Sequence, residues 1–156
     1  MRIAYNVLLL LVVVVAGGCA HKVSQNDLEN RIQASARSTG IEMDVQRAND
    51  LLEAGDREQA LRIYESVLES GFSSASFTTS VLTNAALAAL QLGERDLFFR
   101  YCARIENSLS HQKFISNNTQ FVLALYFVMQ GRDIESQNNY VSRRVRESVK
   151  NALMIR

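Results

Sequence analysis

The chain has 156 residues, with 17 Lys and Arg against 16 Asp and Glu, two Cys, two His, and neither Pro nor Trp. A formal net charge of +1 leaves no global field favouring nucleic acid or another polyanion. With proline absent, glycine sparse, and Ala, Leu, Ser, Asn, Gln, Glu and Arg dominant, the composition reads as helical.

At the N-terminus Arg2 precedes an unbroken apolar run from Val7 to Ala16, then Gly17-Gly18-Cys19. These are the parts of an export signal, and the apolar run is too short for a stable membrane-spanning helix. Small residues directly before a cysteine resemble the lipobox of bacterial lipoproteins, although Ala16 stands where that family usually has Leu. The resemblance implies a signal peptide over residues 1–18 and lipidation of Cys19 as the first mature residue. Ala20 and His21 follow in place of Asp, which in that family implies sorting to the outer membrane, facing the periplasm. One fatty chain binds a bilayer marginally and two or more anchor it stably; the family's cysteine carries three. With Cys19 committed to lipid, Cys102 has no disulfide partner, and its apolar neighbours Phe98 and Ile105 predict a buried structural thiol.

Residues 19–40 are polar, with scattered Val23, Leu28 and Ile32, and read as the lipidated cysteine and a tether holding a short helix over residues 25–36. Beyond them the chain repeats. Gly55, Gly93 and Gly131 are spaced 38 residues apart, Ala48, Ala86 and Ala124 stand seven before them, and Tyr64, Cys102 and Tyr140 nine after. An equal period in separate columns predicts three units, each a pair of helices around its glycine. Apolar residues at helical spacing mark the first helices: Val45, Ala48 and Leu52; Leu82, Ala86 and Ala89; Phe121, Ala124 and Val128. The glycine ends the first helix in a left-handed conformation. Asp56 and Gln59 are spaced as a capping box for the second.

The pattern is similar to the tetratricopeptide repeat family, best in the first unit, where Ala48, Leu51, Gly55, Ala60, Tyr64 and Leu68 occupy its signature places. Phe98 departs from the usual small residue, Arg143 and Arg144 fall where apolar residues belong, and the period exceeds the ~34 of that family. The resemblance implies an all-α fold of antiparallel helix pairs, stacked as a short solenoid. The domain expected is three repeat units over residues 41–156 with a C-terminal capping helix. It also implies a concave partner-binding groove on the first helices, comprising Asn49 and Leu52, then Thr83, Asn84, Leu87 and Leu90, then Phe121, Leu125 and Met129. Asn49 and Asn84 sit where that family clamps a carboxylate, but Val45, Asn118 and Val122 replace the required cations, so no such clamp is expected.

Catalytic chemistry is sparse. His21 and His111 have no second ligand at metal spacing, and Ser108, Ser110 and His111 lack a nucleophile elbow. Glu94, Asp96, Asp133 and Glu135 flank turns, where carboxylates favour helix starts. No cofactor, metal or enzymatic activity is expected. At the C-terminus Tyr140, Val141, Val145, Val149 and Ala152 form an apolar stripe beside Arg143, Arg144, Arg146 and Lys150. That helix is predicted to pack its stripe on the third unit with its charges in water, and Leu153-Met154-Ile155 to fold back as a cap. The expectation is an outer-membrane lipoprotein acting as a non-catalytic, pilotin-like adaptor for assembly of a secretin, pilus or similar envelope machine. Its partners would be the membrane, through the lipid, and an envelope protein or peptide in the groove, with no nucleic acid. Adaptor to a peptidoglycan-processing enzyme and carrier of a small hydrophobic ligand are the alternatives.

Overall fold

The computed structural model describes residues 25–71, 74–109 and 114–153. The described residues are all-helical: α1 (Gln25–Ala54), α2 (Arg57–Glu69), α3 (Ala75–Leu92), α4 (Arg95–Ser108), α5 (Asn117–Met129), a 3-10 turn (Ile134–Ser136) and α6 (Arg143–Leu153). The chain divides into two compact units, residues 1–37 and 38–156. In the first, residues 25–37 are helical, and every side chain from Glu29 to Arg37 is exposed, Ile32 included. The segment read as a tether with a short helix is therefore helical from Gln25 onward, within α1. No proline interrupts it, and a single helical glycine, Gly40, is a penalty of only about 1 kcal/mol.

The second unit rests on three matching helix stops. Gly55, Gly93 and Gly131 are left-handed, at φ 89°, 78° and 72°. At each, the glycine N–H donates to the carbonyl three residues back, Leu52, Leu90 or Val128. The next N–H donates to the carbonyl five back, Leu51, Ala89 or Phe127. This pair of hydrogen bonds satisfies two carbonyls that the helix end would orphan, and it recurs at the 38-residue period. Asp56 then caps α2 by accepting from Gln59 N–H at 3.2 Å. At the third stop Arg132 lays its guanidinium 4.2 Å from the Phe127 ring centroid, where such motifs usually place an apolar contact.

Packing follows the side chains. α3 touches α2, α4 and α5, and its Ala85, Ala86, Ala88 and Ala89 are fully buried. Alanine on several faces lets three neighbours approach one axis closely. α2 and α4 are amphipathic: Ala60, Tyr64 and Val67 face inward from one, Phe98, Tyr101, Cys102 and Ile105 from the other. Phe98 is completely enclosed, a burial that contributes roughly 2–3 kcal/mol. Phe98, Phe99, Tyr126, Phe127 and Tyr140 continue the core as successive ring contacts at 5.4–5.8 Å.

The third unit departs from the expected helix pair. After Gly131 only the 3-10 turn Ile134–Ser136 forms, and the next helix waits until Arg143. The columns holding Ala60 and Phe98, then Val67 and Ile105, carry Ser136 and Arg143, both exposed. Without an apolar stripe to bury, a short helix gains no tertiary support. Polar side chains also take over its backbone bonds: Ser136 Oγ donates to Asp133 O at 2.7 Å and Asp133 Oδ1 accepts from Glu135 N–H at 3.0 Å.

α6 packs on α5 through buried Val145 and Val149. Its basic face does not lie wholly in water, as the sequence suggested. Arg146 is buried, and its Nη1 donates to Asn138 Oδ1 and Val141 O, both at 2.7 Å. Its Nε lies 3.3 Å from Glu135 Oε2 as an ion pair, without the alignment of a hydrogen bond. Lys150 pairs with the same carboxylate. Leu153 is exposed, and the remainder of the predicted cap, Met154 and Ile155, lies outside the described residues.

Candidate functional site

The residues predicted to line a groove lie on three helices in contact. Asn84 Nδ2 donates to Asn49 Oδ1 at 2.9 Å between α3 and α1, and the hydroxyls of Thr83 and Thr119 lie 3.0 Å apart between α3 and α5. Leu52, Leu87, Leu90, Phe121, Leu125 and Met129 are all half-buried, resting on the core with part of each surface open. Two columns at the 38-residue period stay half-buried on every first helix: Asn49, Leu87 and Leu125, and Leu52, Leu90 and Val128. Their chemistry becomes wholly apolar after α1.

Thr83 does not belong to this surface. It is 2% exposed, donates to Thr79 O at 2.8 Å, and meets Thr119, which also contacts Ser116 Oγ at 2.9 Å. A threonine at groove spacing is here a polar joint between helices, since a buried hydroxyl must find a partner. Asn49 stays half-buried at this surface and also holds helices together. Its Oδ1 accepts from both Tyr64 OH, at 2.7 Å, and Asn84 Nδ2, so one carbonyl clips α1, α2 and α3 together. Burial pushes the Tyr64 phenol up to about 12; the Asn84 amide opposes that shift and the Glu53 charge adds to it.

A concavity between α2 and α4 was not anticipated. A depression of about 280 Å³ is lined by Glu65, Leu68 and Glu69 of α2 and by Leu97, Arg100, Tyr101 and Arg104 of α4. A neighbouring one of about 350 Å³ shares Glu65 and Leu97 and extends past Leu61, Arg62 and Leu92 to Glu58 and Glu94. Tyr101 OH donates to Glu65 Oε1 at 2.8 Å and ties α4 to α2. Burial and that carboxylate raise the Tyr101 phenol well above its ordinary range, so it remains a donor. The signal was present in the sequence: Glu65 and Glu69, and Arg100 and Arg104, are i, i+4 pairs and so share a helix face.

Reactive groups do not converge at either place. Cys102 is completely buried, and burial followed by the nearby Glu106 charge raises its thiol far above the reactive range. Ser108 Oγ donates to Ile105 O at 2.8 Å and contacts Thr79 Oγ1 at 3.3 Å. Cys19, His21, Ser110 and His111 lie outside the described residues. Among the described residues no group of three or more His, Cys, Asp or Glu could hold a metal, and no helix is long and apolar enough to cross a membrane. A scan of the chain against protein-family models and searches of curated proteins and of solved structures gave no match.

Proposed function

We propose that this protein is a lipid-anchored adaptor of the bacterial outer membrane, non-catalytic and facing the periplasm, that helps assemble an envelope machine such as a secretin or pilus. Its helix pairs stack as a short tetratricopeptide-like solenoid, and the first helices form the docking face. The observation that carries this reading is the pair of half-exposed columns, Asn49, Leu87 and Leu125 with Leu52, Leu90 and Val128, on helices already joined by side-chain hydrogen bonds. A stripe of part-open leucines on a rigid support suits an amphipathic helix or extended segment that inserts apolar anchors every turn or two. Lipidation at Cys19 would keep this face near the membrane, where its partners are assembled.

Charge reversal tests the docking face. Leu90→Glu with Leu125→Glu, both at half-open positions, should leave helix content intact by circular dichroism and abolish recovery of a secretin or pilus subunit from envelope extracts. Unchanged recovery rejects the face. Recovery of a cell-wall enzyme, or of lipid alone, redirects the assignment to a peptidoglycan adaptor or a hydrophobic-ligand carrier. Cys19→Ser should move the protein out of the membrane fraction, and unchanged fractionation rejects the anchor.

A further inference from the structure

The trough between α2 and α4 shares no residue with the docking face, and its charge layout has a specific geometry. At one end, its α2 wall carries Glu65 and Glu69 and its α4 wall carries Arg100 and Arg104. The apolar floor is Leu68 and Leu97, both half-buried. Glu69, Arg100 and Arg104 are exposed, and among the described residues no ion pair joins them to one another. A ligand of one sign would be drawn to one wall and repelled by the other. A surface with an acidic wall, an apolar floor and a basic wall is the complement of itself turned over. An isologous dimer requires that property, because each patch must meet its own copy across a two-fold axis.

We propose that the α2–α4 trough is a self-association surface whose occupant is a second copy of this chain. A two-fold axis along the trough lays the acidic wall of one copy on the basic wall of the other, so each contact is made twice. Leu68 and Leu97 of the two copies then line one shared apolar interior, closed off from bulk water by the paired walls. The charges lie at the rim of a small apolar floor, which makes the association reversible and salt-sensitive.

Sedimentation velocity of the full chain in detergent, from roughly 1 to 100 µM, tests this. The wild type should show a monomer–dimer equilibrium that weakens as salt rises. Glu69→Arg and Arg104→Glu each convert two attractive contacts into repulsive ones, and should raise the dimer dissociation constant about tenfold or more with helix content unchanged. Both side chains are exposed and make no hydrogen bond or ion pair among the described residues, so folding is not at stake. In an equimolar mixture of the two variants, a heterodimer matches opposite charges at both contacts. The introduced arginine faces the introduced glutamate at one, and native Glu69 faces native Arg104 at the other, so the mixture should recover wild-type affinity. The double variant Glu69→Arg with Arg104→Glu should recover it as a homodimer. A wild type that stays monomeric overturns the proposal, as does association indifferent to both reversals. Loss in the single variants without recovery in the mixture also overturns it, since the two walls then do not face each other.

Discussion

Gly93→Ala and Gly40→Ala make the same chemical change with opposite expected signs. A Cβ at either position meets nothing within 4 Å, so steric crowding is removed from the comparison. Gly93 stands at φ 78°, where an L-residue is penalised by roughly 1–2 kcal/mol. The smaller conformational freedom of alanine in the unfolded chain returns about 0.4–1 kcal/mol, so a net loss of about 1 kcal/mol is expected. Gly40 is an exposed residue inside α1, where alanine gains roughly 0.5–1 kcal/mol by restricting the unfolded chain and favouring the helix. Urea unfolding followed by far-ultraviolet circular dichroism, at one protein concentration, should give a lower midpoint for Gly93→Ala and a higher one for Gly40→Ala, with unchanged slopes. Gly55→Ala and Gly131→Ala should behave like Gly93→Ala, because they carry the same pair of backbone bonds. A Gly93→Ala protein as stable as Gly40→Ala would refute the repeated left-handed stop, and with it the basis for reading the 38-residue period as structural.

Other substitutions separate the remaining contributions. Phe98→Ala empties a completely enclosed site and should destabilise by about 3–5 kcal/mol in the same assay. Thr83→Val preserves shape and leaves Thr119 its Ser116 partner, so it should lose only about 1 kcal/mol. The hydrogen bond from Lys150 holds the Glu135 carboxyl below its ordinary 4.5, and the charges of Lys150 and Arg146 act in the same direction. A folded value below the unfolded one gives stability present above 4.5 and lost as pH falls through the folded value. Hydrogen exchange across α6, corrected for intrinsic rate, should therefore accelerate on acidification; Glu135→Gln should already be fast at neutral pH, and a flat profile would contradict this. Tyr64 has the opposite sign: with its phenol raised from 10.0 to about 12, its contribution is complete below pH 10 and lost as pH rises through 12. Phenolate absorbance should show two tyrosines titrating late, Tyr64 and Tyr101, and Tyr64→Phe should remove one of them while the other persists.

Legibility in the sequence followed how local each feature was. The glycine stops, the Asp56 cap and the inward faces of α2 and α4 could be read from spacing, because each depends on residues within two turns of one another. The third unit misled at Tyr140, which preserves the aromatic column while Ser136 and Arg143 remove the stripe on either side. One retained aromatic does not make a helix when the residues a turn away have nothing to bury. The α2–α4 trough went unread because its residues look like ordinary solvated charge on two separate amphipathic helices.

By itself the sequence determined where helices stop and which stripe of each is apolar, since backbone conformation at glycine and 3.6-residue periodicity need no distant partner. Only the tertiary structure decided which stripes are closed. Thr83 and Leu87 are one turn apart on the same helix, yet Thr119 covers the first while the second stays half-open. Arg146 and Arg143 look alike in the chain, yet Asn138, Val141 and Glu135 draw only Arg146 inward. Burial belongs to a pair of surfaces, and helical spacing names one of them without naming what stands opposite.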